Sequence, residues 1–218
     1  VAILRVGQWD VARRILATAP ARVGRALDMA TQQEAHYMRR LIVQGIREQA
    51  PGGKAFRPLA PSTLKVRELR RFRGTKALIV RGDLRNSITV QRVSSGAAFV
   101  GVLRSARAKD GRSLANVAEV HEFGSNPIVI RITPKMRALL HMMNRERGRN
   151  AKGQFTRNRS QYAQASKGFV VIRIPARPFI RPVAETHFKP AEVRQRFLAR
   201  VGLALNGDLG QVGISIPR

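Results

Sequence analysis

The clearest periodic stretch runs from about Pro20 to Gln49, where apolar residues recur at Val23, Leu27, Ala30, Met38, Leu41, Ile42 and Ile46. Steps of three and four residues put these on one face of an α-helix. Ala50, Pro51, Gly52 and Gly53 then break it. Its polar side carries Arg22, Arg25, Arg39, Arg40 and Arg47, the expected solvated face of a helix packed on a core. Leu59 to Leu64 reads as the start of a short helix with Ser62 as its cap. Leu84 to Val90 and Ala97 to Leu103 read as strands of a hairpin turned at Ser94-Ser95-Gly96. A third strand is expected from Ala118 to Phe123. Ile128 to Ile132 and Phe169 to Ile174 are rich in β-branched residues and can pair as another hairpin across a long insertion. A last helix is expected from Ala191 to Leu205, with Val193, Phe197, Val201 and Leu205 at helical spacing and Pro190 at its start.

The pattern predicts an α+β fold in which a long N-terminal helix and a C-terminal helix pack on a small antiparallel sheet, interrupted by a long basic insertion. Residues 1–19 are expected to be an N-terminal extension, 20–205 a single domain, and 206–218 an irregular Gly-containing tail. The insertion, 134–167, opens with an apolar helix-like stretch from Met136 to Met143. It then turns polar, with Arg145, Arg147, Arg149, Lys152, Arg157 and Arg159 set among Asn and Gly residues and Glu146 as the one acid. Such a segment buries little surface and is expected to be mobile without a partner.

Charge changes the picture most. Among 218 residues, 41 are Lys or Arg and 13 are Asp or Glu, a formal charge of +28. A compact body with that excess repels itself unless a polyanion or acidic protein neutralises it. A hydrophobic content of 44% still allows a core, so the chain is more than a disordered basic tail. Besides the insertion, the excess concentrates at Lys65, Arg67, Arg70, Arg71, Arg73 and Lys76, which share their interval with Glu68 alone among acids. Both clusters are candidate contacts for DNA or an acidic partner, because phosphate contacts need no exact register and accumulate through counterion release. Aromatics make up 6%, too few on basic strands to suggest base stacking, so backbone contact fits better.

Candidate chemistry is sparse. There is no cysteine, which removes thiolate metal sites and cysteine nucleophiles. His36, His121, His141 and His187 are widely separated, so no metal site is expected. On a strand, His121 and Glu122 point to opposite faces and do not form an acid–base pair. A metal-dependent nuclease needs converging carboxylates, and only Glu119 and Glu122 are close in sequence. No phosphate-cradling or dinucleotide motif is present. Arg81-Gly82-Asp83 reads as a tight turn. The expectation is a non-enzyme without cofactor. Val1 to Trp9 lacks a signal-peptide run and no 18-residue apolar stretch follows, so a soluble intracellular protein with no membrane contact is expected.

Four blocks in order carry a resemblance. They are Leu59-Ala60-Pro61-Ser62-Thr63-Leu64, Val80-Arg81-Gly82-Asp83-Leu84-Arg85-Asn86-Ser87-Ile88, Val120-His121-Glu122-Phe123-Gly124, and Ile174-Pro175-Ala176-Arg177-Pro178-Phe179-Ile180. In this order, over roughly residues 20 to 205, the chain resembles the tail-completion proteins of tailed bacteriophages, including the phage virion morphogenesis family and related minor tail or neck proteins. Gly82, Leu84, Ser87, His121, Phe123, Gly124, Pro175, Arg177, Pro178 and Phe179 are then fold markers and not a catalytic site. Pro175 and Pro178 hold an extended segment that delivers Phe179 to the core. The resemblance implies a non-enzymatic virion subunit, assembled in the host cytoplasm, forming a hexameric ring at the head-proximal end of the tail. Its implied neighbours are a tail terminator or tail tube, the head–tail connector, and DNA in the channel. The 134–167 insertion departs from the shorter relatives. The rival reading is a free, sequence-independent nucleic-acid-binding protein of ribosomal or nucleoid type.

Overall fold

A computed structural model of the chain describes residues 9–138 and 168–211. The expected α+β class is observed. A 40-residue helix, α1 (Trp9–Glu48), is the spine. It begins well before Pro20, which lies inside it. Proline removes an intrahelical bond to the carbonyl of Leu16, tolerable here because that turn is exposed. A 3₁₀ turn, η1 (Pro51–Gly53), follows. Next come α2 (Pro61–Leu69), α3 (Asp83–Ser87), β1 (Ile88–Ser94), β2 (Ala97–Val102) and α4 (Leu114–Phe123). After these stand β3 (Ile128–Arg131), β4 (Phe169–Ile172), α5 (Arg181–His187) and α6 (Pro190–Gln211).

The strands form two separate antiparallel ribbons instead of one sheet: β1 pairs with β2, placing Ile88 opposite Val102, and β3 pairs with β4, placing Ile128 opposite Ile172. Both expected hairpins are therefore present, the second spanning the insertion. Three expected boundaries change. Leu84 to Ser87 is helical, and the strand opens only at Ile88. The expected strand at Ala118 to Phe123 is the second half of α4. Its cap at Ser113, whose hydroxyl accepts from the Asn116 amide at 3.4 Å, starts a helix that buries Leu114 and Ala118 on one face. Residues after Asn206 continue α6 to Gln211 instead of turning irregular. Ser62 is also not the cap of α2: Ala60 holds that position and Pro61 fills the first helical turn, where a missing N–H costs nothing.

The core gathers around α1. Ile42, Ile46, Leu84, Ile88, Ala118, Phe179 and Val183 form one buried cluster, with Phe179 fully enclosed. The side of α1 read as solvated is partly used for packing. Arg22, Ala26, Ala30 and Glu34 fall at successive steps of four residues and are buried, while Val23 and Leu27 stay exposed. Glu34 marks the ridge facing α6, where its carboxylate takes Arg196 at 3.0 Å and Arg200. Arg196 and Arg200 also lie over the Tyr37 ring, at 5.1 and 5.7 Å. The C-terminal helix thus packs along α1.

The β1–β2 ribbon is tied to α1 at both ends. Arg39 Nε donates to the Ile88 carbonyl at 2.7 Å at its base. At its tip Asp28 accepts from Arg92, from the Ser95 hydroxyl and from the Gly96 amide. The Gly96 amide is the main cause that holds the Asp28 carboxyl below its usual value.

Candidate functional site

The four motif blocks, the first and last more than a hundred residues apart in the chain, are drawn toward one knot. Gly82 caps α3 in a left-handed conformation, φ 85°, that a residue with a Cβ adopts at a cost. The cap sends Leu84 and Ile88 into the core beside Phe179. Within the same turn the Ser87 hydroxyl donates to the Leu84 carbonyl at 2.8 Å. At the other side of the knot Gly124, φ 87°, ends α4, and its α-carbon faces the backbone of Ile174 and Ala176 so closely that a Cβ would lie 3.3 Å from the Ala176 amide. That approach lets the Arg177 amide donate to the His121 carbonyl at 2.7 Å.

Glu122 closes the knot. Its Oε2 accepts from the amides of Phe179 and Ile180 at 2.9 and 3.1 Å, and its Oε1 from the amide of Arg181 at 2.8 Å. The start of a helix carries amides with no intrahelical acceptor, and at α5 these include the cap Ile180 and the first residue Arg181, followed by Pro182, which has none. One carboxylate therefore answers both of them and the Phe179 amide just before, assisted by the helix dipole. Being on a helix, His121 and Glu122 are not disposed as strand neighbours, and Glu122 has its role in this cap. Arg177 ties in the chain just before the first block: its Nε and Nη2 donate to the carbonyls of Arg57 and Pro58 at 2.8 and 3.0 Å. Phe123 stays on the surface, with the Arg181 guanidinium 5.5 Å from its ring.

The basic candidates divide. Arg70, Arg71, Arg73 and Lys76 are exposed. Lys65 pairs with Glu68 at 3.2 Å, and Lys76 donates to the Arg47 carbonyl at the end of α1. Arg67 turns inward, 9% exposed, and its Nη1 donates to the carbonyls of Gly74 and Lys76. It holds the loop that carries its neighbours. Arg145, Arg147, Arg149, Lys152, Arg157 and Arg159 lie outside the described residues, as does most of the 134–167 insertion beyond its helical opening at 134–138.

The insertion springs from the β3–β4 ribbon, and sequence reading missed what that ribbon leaves open. Val129 and Val171 are 65% and 64% exposed, Phe169 is 55% exposed, and Ile128, Ile130 and Ile172 are exposed too. Successive strand residues face opposite sides, so both faces of the ribbon are apolar and uncovered. A lone two-stranded ribbon is marginal in water, and a contiguous apolar patch of this kind marks a contact surface. The signal lies in the unbroken rather than alternating apolar runs. An open groove of about 460 Å³ beside β2, lined by Val93, Phe99, Val102, Leu103 and Ala115 among others, is likewise apolar and brings no acid–base pair together. Among the described residues no three His, Cys, Asp or Glu converge as a metal set, and no helix is long and apolar enough to cross a membrane.

Two outcomes test the knot. Glu122→Ala leaves three amides without an acceptor and is expected to cost about 2–4 kcal/mol in urea unfolding, with Glu122→Gln losing less; a cost under about 0.5 kcal/mol would remove the cap from the account. His121 Nδ1 is buried without a partner, and burial first, then Arg177, holds the imidazole below its usual value. The fold therefore favours neutral His121. Its contribution is complete above about pH 6.5 and is lost as pH falls from there through the folded value. Urea midpoints measured across that window should fall more steeply for the wild type than for His121→Gln, and equal slopes would contradict this.

The phage virion morphogenesis family matches the chain over residues 9–187. No curated protein and no solved structure matches it. The match takes in all four motif blocks and the whole of the knot they build, and on that ground the chain belongs to the phage virion morphogenesis family.

Proposed function

We propose that this phage assembly protein is a structural subunit of the neck or the tail top, a tail-completion protein that joins tail to head around the DNA channel. The observation that carries the reading is the β3–β4 ribbon, apolar on both faces and rooted where the basic insertion leaves and returns. Covering such a ribbon takes a neighbour on each side, which a ring of like subunits supplies. Each apolar side chain so buried contributes on the order of 1–2 kcal/mol. Copies carrying +28 each repel one another, so the ring needs a polyanion or acidic rings beside it. DNA in the channel, a tail terminator or tail tube, and the head–tail connector are the partners that satisfy this. A hexamer matches the six-fold symmetry that the family resemblance implies.

The test is electron microscopy and native mass spectrometry of the full chain, alone and mixed with tails and connector complexes. Hexameric rings, or added density at the head-proximal tail end, are expected. A Val129→Lys/Val171→Lys double variant should lose assembly while keeping its circular dichroism. A monomer that binds neither tails nor connectors would contradict the proposal. If that monomer binds duplex DNA tightly, with a log–log salt slope of about −5 for six phosphate contacts, the free nucleic-acid-binding reading, which the net charge favours, replaces it.

A further inference from the structure

The chain treats its buried arginines in two ways. Where α1 meets α6, Arg196 and Arg200 are met by a carboxylate, Glu34. Around Arg177 no such provision exists. Arg177 is 6% exposed and Arg67 9% exposed, yet both donate only to neutral backbone carbonyls: those of Arg57 and Pro58 for the first, those of Gly74 and Lys76 for the second. Arg177 Nη1, and Arg67 Nε and Nη2, have no acceptor among the described residues. No carboxylate among the described residues pairs with Arg57, Arg67 or Arg177.

Two enclosed cations without a counter-charge are costly, because desolvation is repaid only by an opposite charge with good geometry. The crowding is felt at Arg177, whose proton affinity is lowered by burial first and then by repulsion from Arg57 and Arg67. Burial likewise lowers that of Arg67. Backbone carbonyls fix both guanidiniums in place, so their remaining N–H groups are preorganised donors. Planar guanidinium forks suit an oxyanion with several acceptor oxygens. Arg57, whose side chain is exposed and whose carbonyl accepts from Arg177 Nε at 2.8 Å, supplies a third cation on the solvent side.

We propose that Arg57, Arg67 and Arg177 form a binding site for a single phosphate-type oxyanion. Arg67 and Arg177 hold it from within, and Arg57 closes over it from the solvent side. The site does not depend on the neck reading, since an isolated chain would bind the ion whether or not it enters a ring. The occupant is free phosphate or a phosphodiester of DNA.

Thermal unfolding of the full chain in sodium phosphate and in sodium chloride of equal ionic strength tests it. Phosphate should raise the midpoint by about 3 °C or more over chloride, as expected when a ligand binds only the folded state. Arg67 and Arg177 hold loops, so the decisive variant is Arg57→Glu, which keeps the backbone carbonyl and brings a carboxylate to the ion's place. It should raise the midpoint in chloride and abolish the phosphate response, whereas Arg194→Glu, an exposed cation of α6, should keep that response. Equal midpoints in the two salts for the wild type, or an unchanged phosphate response in Arg57→Glu, would overturn the site. Duplex DNA affinity then identifies the source. A larger loss for Arg57→Glu than for Arg194→Glu supports a DNA phosphodiester as occupant, and equal losses beside an Arg57-dependent phosphate response support free phosphate.

Discussion

The carboxylate of Glu122 accepts from three consecutive amides, those of Phe179, Ile180 and Arg181, and much of the fold depends on that being possible. It requires α4 to end at Gly124, so that the last turn lies against the Ile174–Ala176 backbone. It requires Pro182 in the next position, where no further amide needs an acceptor. Once made, it drives Phe179 into the centre of the cluster built on Ile42 and Ile46. The same clamp fixes the roots of the β3–β4 ribbon. Ser125 and Ile174 exchange two bonds, the Ser125 amide to the Ile174 carbonyl at 3.0 Å and the Ile174 amide to the Ser125 hydroxyl at 2.8 Å. The Ile132 amide reaches the Gly168 carbonyl at 2.8 Å. The basic insertion is therefore connected to two pinned ends.

Acids are scarce in this chain, and three of them hold tertiary structure. Asp28 fastens the tip of the β1–β2 ribbon to α1, Glu34 joins α1 to α6, and Glu122 joins α4 to α5. With these acids committed to joining elements, few are left to meet the positive excess. Structural order and electrostatic incompleteness thus come from one allocation of charge.

Much of this is legible in the amino-acid sequence. The 3.6-residue period locates α1 and α6, and the β-branched runs locate both ribbons, because long or repeated patterns survive errors of register. The order of the four motif blocks carries the family resemblance by itself. What the sequence hides is local and short. Ala118 to Phe123 is a stretch of six residues with Ala118, Val120 and Phe123 apolar, compatible with either period, and the deciding cap at Ser113 lies outside it. Arg22, Arg39 and Arg67 read as solvated because arginine usually is, whereas Arg39 and Arg67 answer backbone carbonyls and Arg22 is buried. Glu122 reads as a strand residue and not as a cap, since its three donors lie nearly sixty residues further along the chain. The one clue is an acid two residues before a glycine stop in an acid-poor chain.

Native-state hydrogen exchange at the amides of Arg177, Phe179, Ile180 and Arg181 tests the central claim most directly. If the Glu122 knot is part of the cooperative core, these amides exchange only through global unfolding, with the same opening free energy as Ile42 and Ile46. Exchange at the rate of a frayed surface segment, while Ile42 and Ile46 remain protected, would contradict it.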